Sequence, residues 1–71
     1  MRYRIIARHP ENKGPVFFWS LADDWTTDER YATNFVTVSA AVELLEFMGV
    51  PSAREIGVDG PCVGAVEEVK D

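Results

Sequence analysis

One stretch of this chain has the rhythm of a helix, and it limits the folds open to the rest. Val38-Ser-Ala-Ala-Val-Glu-Leu-Leu-Glu-Phe-Met48 is rich in helix formers. Thr37 or Ser39 can cap its start, Gly49 stands at a natural position just past its end, and Pro51 stops any continuation. Val38, Ala41, Val42, Leu45 and Met48 recur at spacings of three and four and make an apolar stripe, with Glu43 and Glu46 on the solvent side. A single helix of about 16 Å cannot form a bundle alone. Its stripe needs a sheet to cover.

The flanking segments supply strands. Arg2 to His9 alternates: Tyr3, Ile5 and Ala7 point one way, and Arg2, Arg4, Ile6 and Arg8 the other. Residues 10–14 hold Pro, Asn and Gly and read as a loop. Pro15 to Ser20 is a second strand, dense in aromatics, so the two predict an antiparallel hairpin. Residues 21–36 lack clean periodicity and read as an ordered loop anchored by Trp25, Tyr31 and Phe35, in which Asp24 or Thr27 can cap a short helical turn. In the tail, residues 54–58 and 62–69 flank Asp59-Gly60, a hairpin signal that Pro61 lengthens. The expectation is one α+β domain over residues 1–71, in ββαββ order: an antiparallel sheet of three to four strands with one helix packed on one face. The second strand is apolar on both sides, Val16 and Phe18 on one, Phe17 and Trp19 on the other. Either residues 21–36 fold across the second face or it stays open as an aromatic binding patch.

Seventy-one residues bury about 60% of the surface that the unfolded chain exposes. An apolar fraction of 46% is that of a folded protein, not a disordered one. No apolar run approaches the ~20 residues that span a bilayer, and Met1-Arg2-Tyr3-Arg4 leads into a strand without a signal core, so no membrane and a cytoplasmic location are expected. The one cysteine, Cys62, has no partner for an internal disulfide and reads as a small buried apolar residue. His9 stands in no catalytic motif and reads as a surface residue.

Charge is divided along the chain. Residues 1–20 hold Arg2, Arg4, Arg8 and Lys13 against Glu11, a net of +3. Residues 21–71 hold eleven carboxylates against Arg30, Arg54 and Lys70, a net of −8, which leaves −5 for the whole. Acidity of this kind disfavours direct binding to nucleic acid and favours attraction to basic surfaces. Asp23, Asp24, Asp28 and Glu29 form the densest cluster, but without the alternating ligands, central Gly and terminal bidentate Glu of a calcium loop. Glu43 with Glu46, and Glu67 with Glu68, stand where nothing desolvates one carboxylate beside another, as a paired acid and base requires. The residues therefore predict no catalytic group, no metal, no cofactor and no enzyme. Arg2, Arg4 and Arg8 are expected to pair with Glu67 or Glu68, or to stack on Trp19.

The aromatic strand Phe17-Phe18-Trp19, the acidic Trp-containing loop Asp23-Asp24-Trp25 and the Phe35-Val36-Thr37 entry to the helix resemble the small proteins of phages and mobile elements. In size and charge the chain is similar to the anti-CRISPR proteins that inhibit type I surveillance complexes. That resemblance implies a stoichiometric inhibitor that binds a Cas subunit and blocks target DNA by DNA mimicry, in a bacterial host's cytoplasm. Its net charge is modest for a DNA mimic, and its first strand is basic. The partner surface expected on this reading comprises Asp23, Asp24, Asp28, Glu29, Glu43, Glu46, Glu67, Glu68 and Trp25. The partner would be a basic nucleic-acid-binding protein, with the inhibitor a monomer. The alternative is an assembly module that pairs through an uncovered aromatic sheet face.

Overall fold

The computed structural model describes residues 1–50 and 62–70. Its elements in chain order are β1 (Arg2–Arg8), β2 (Phe17–Ser20), β3 (Asp24–Thr26), a single 3-10 turn (Glu29–Tyr31), α1 (Val38–Phe47) and β4 (Val63–Val69). The strands form one antiparallel sheet in the order β3-β2-β1-β4. The expected α+β architecture, one helix with a four-stranded antiparallel sheet, is the one observed. Three strands rather than two precede the helix, because part of the expected loop 21–36 pairs with β2. The strand expected at 54–58 and its Asp59-Gly60 turn lie outside the described residues.

The helix begins at Thr37, whose hydroxyl accepts the Ala40 amide at 3.2 Å. It does not end on a left-handed glycine. Met48 leaves in an extended conformation while its N–H donates to the Leu44 carbonyl, and Gly14 is the one described glycine with positive φ.

Cross-strand partners share a face of a sheet, so the register sorts the side chains. Ala7 stands opposite Gly64 and Phe17, Ile5 opposite Val66, and Trp19 opposite Trp25. This is the helix side. A Cβ added at Gly64 would lie 2.8 Å from Leu45 Cδ1, which places α1 directly over β4 there. The missing side chain is what lets the helix approach so closely. Ile5 and Ala41 are fully buried in this layer, and Ala7, Phe17 and Cys62 form a cluster against which Trp25 packs. Leu44, Leu45 and Met48 are half-buried, whereas Val38 and Val42, expected within the stripe, are exposed. The buried stripe is rotated toward Leu44, so Val38 and Val42 lie at its margin.

The other face carries Arg4, Ile6 and Phe18, and residues 21–36 do fold across part of it. The Arg4 guanidinium lies 4.8 Å over the Phe18 ring. It also reaches Glu29 on the 3-10 turn at 2.6 Å and Glu67 on β4 at 3.2 Å. Ile6 and Phe18 are buried beneath this layer. The segment then returns between the strands. Thr33 N–H donates to the Trp19 carbonyl, Phe35 and Tyr3 exchange two backbone hydrogen bonds, and the Phe35 ring stacks on Trp19 at 5.9 Å.

Candidate interaction surface

Among the described carboxylates, Glu11 pairs with Lys13 in the exposed loop after β1, and the others divide into those that hold the fold and those that face outward alone. The first group comprises Glu29, Glu67 and Asp28. Glu29 and Glu67 converge on Arg4, whose side chain is only 14% exposed. Burial of that guanidinium lowers its pKa, but hydrogen bonds to Glu29 and Glu67 outweigh burial and raise it above the ordinary arginine value. Asp28 caps the 3-10 turn: its Oδ1 accepts the Arg30 amide, and both its oxygens accept from the Arg30 guanidinium at 3.1 and 2.8 Å. Side-chain bonds from Arg30, then the backbone bond, hold this carboxyl below its usual value.

The second group is Asp23, Asp24, Glu43, Glu46 and Glu68. All five are exposed, and none forms an ion pair among the described residues. They do not form one cluster. Asp23 and Asp24 sit at the β2–β3 turn, Glu43 and Glu46 on α1, and Glu68 on β4. Glu67 and Glu68 are consecutive in a strand and so face opposite sides of the sheet. Trp25 packs on the core cluster and is half-buried.

The β2–β3 turn follows from its sequence. Ser20 pairs with Asp24 across a three-residue loop, and the Ser20 hydroxyl accepts the Ala22 and Asp23 amides at 3.3 and 3.4 Å. Asp24, the first residue of β3, takes a left-handed φ of 59° as the chain leaves the loop. The acidic pair is thereby held at a defined place, beside Leu21, which is 78% exposed.

Two other expectations change. His9 is buried rather than superficial: its Nδ1 accepts the Glu11 amide at 3.1 Å, closing the turn after β1. Arg4 stacks on Phe18 and not on Trp19, because Trp19 faces the helix side. The aromatic strand is not an open face, since Phe17 and Phe18 are both buried. Sequence reasoning also passed over Phe47, which is 91% exposed. At about 100° per residue it falls off the apolar stripe and on the side of Glu43 and Glu46, a placement that the spacing alone gives.

Among the described residues no group of three or more His, Cys, Asp or Glu side chains could hold a metal ion. Nor is any described helix long and apolar enough to cross a membrane. No family model, curated protein or solved structure matches the chain.

Proposed function

We propose that this protein is a stoichiometric binding protein that presents carboxylates to a basic, nucleic-acid-binding partner and competes there with DNA. This is the role that the resemblance to small type I anti-CRISPR proteins implies. The observation that supports it is the division of the carboxylates. Asp28, Glu29 and Glu67 are neutralised by Arg30 and Arg4, while Asp23, Asp24, Glu43, Glu46 and Glu68 stand exposed without a counter-charge among the described residues. Because Arg4 is turned inward, the basic first strand opposes this surface less than its composition suggests. Lys and Arg in a phosphate-binding groove would meet carboxylates in place of phosphates, and complementary charge would speed association.

A purified type I surveillance complex, with its guide RNA and target duplex, provides the test. The protein and the duplex are expected to exclude each other. Reversal of Asp23, Asp24, Glu43 and Glu46 to Lys is expected to slow association and to flatten its salt dependence while leaving the fold intact, since exposed charges contribute little to stability. A ternary complex, or wild-type association by the four-site variant, would reject mimicry. Absence of binding would reject the surveillance complex as the partner.

A further inference from the structure

The outer face of α1 combines an exposed aromatic residue with two unpaired charges of one sign. Phe47 is 91% exposed, and Glu43 and Glu46 are exposed without ion pairs among the described residues. At about 100° per residue these three lie some 120–160° round the axis from the fully buried Ala41, within a single sector. None of them supports the helix. Carboxylates belong near a helix N-terminus and cations near its C-terminus. Here the first turn has no acid, the last turn has no base, and both acids stand in the C-terminal half. Like charges three apart on one face also repel. A single exposed apolar side chain is ordinary. An exposed phenylalanine beside two like-charged carboxylates, one of them in the last turn against the helix dipole, is a set of locally unfavourable choices on one face, the pattern expected where a surface serves a partner.

We infer that the Glu43–Glu46–Phe47 face of α1 is the centre of the partner interface. Its occupant is a protein surface that offers lysine or arginine side chains around an apolar pocket. Phe47 enters the pocket as the anchor, and the two carboxylates meet the basic rim. The inference rests on the binding role proposed above and narrows it to one element. Charge complementarity selects the occupant: a second copy of the chain would bring Glu43 and Glu46 against each other if the helix faces met. Affinity in such contacts is concentrated in a few desolvated anchors, with charge setting partner choice and rate.

A short lysine–leucine peptide serves as a probe, with a lysine–serine peptide of equal charge as control. In a nuclear magnetic resonance titration, the lysine–leucine peptide is expected to shift the amides of Glu43 to Phe47 most. The control is expected to bind more weakly. Phe47→Ser is expected to weaken lysine–leucine binding about 5–10-fold without lowering the melting temperature, because the ring is not part of the core. Glu43→Gln with Glu46→Gln is expected to reduce the salt dependence. Shifts confined to Asp23 and Asp24 would overturn the inference and leave the acidic-binding role standing. Equal binding by Phe47→Ser would remove the anchor. Failure of both peptides to bind would count against both proposals. A dimer in sedimentation that Phe47→Ser dissociates would make a second copy the occupant and reject the basic partner.

Discussion

Gly64 shows how one absent side chain sets the distance between two layers. A Cβ there would meet Leu45 Cδ1 and Val50 Cγ1, each at 2.8 Å. Both are ends of flexible side chains, so Gly64→Ala should fold, but with the helix pushed outward. The expected loss is about 1–3 kcal/mol, within the range for overpacked cores. Leu45 is half-buried, so Leu45→Ala should cost about 2 kcal/mol, the low end for such truncations. The double variant should be more stable than the two separate losses imply, because each change makes room for the other. Urea denaturation of the four proteins measures this coupling, and strict additivity would show that Leu45 does not rest on Gly64.

At the scale of elements, the three-residue strand β3 depends on its turn. Asp24 accepts a left-handed backbone that most residues resist, and its carboxylate makes no hydrogen bond among the described residues. Asp24→Gly should therefore match or exceed the parent in stability. Asp24→Ala should fall below it by about 1 kcal/mol in thermal or chemical denaturation. The reverse order would mean that the carboxylate, not the backbone, holds the turn. This turn also explains why β3 was hidden in the sequence. It has no Asn-Gly or Gly-rich signal, and a strand of three residues is too short for period two to stand out. By contrast β1, β2, β4 and α1 were legible because Ile5 and Ala7, the Phe17-Phe18-Trp19 run and the Ala41–Leu45 spacing each extend over enough residues. Of the candidate surface, the identity of the acids was legible, but not which of them the fold had already engaged. Pairing of Arg4 with Glu29 spans twenty-five positions, and no local pattern announces it. The helix-stripe expectation for Val38 and Val42 failed for a related reason. Periodicity gives the width of an apolar face but not which edge of it the sheet covers.

Taken as a whole molecule, the protein ties part of its stability to pH through one paired carboxylate, Asp28. Asp28 has a folded pKa below its unfolded value of about 3.9. Its contribution to stability is therefore present above the unfolded value and is lost as pH falls through the folded one. Asp28→Asn keeps a capping acceptor but removes the charge. The difference in stability between parent and variant should be present at neutral pH and should close on acidification below about pH 4. A difference that persists in acid would assign it to the cap.

The position of β1 has a consequence for how the chain comes to be folded. It is an interior strand, with β2 on one side and β4 on the other, and its pairing with β4 runs from Arg2 with Val69 to Arg8 with Val63. One edge of the first strand is thus filled only by residues that the ribosome makes long afterward. Until then Ile5 and Ile6 lack the neighbours that bury them, and hairpin pairing alone must hold the nascent chain. Closing so long a loop before the reward of burial should make the domain fold more slowly than a helical bundle of its size, whose contacts are local. During that interval the unpaired edge of β1 is the part of the molecule most open to mispairing with another chain.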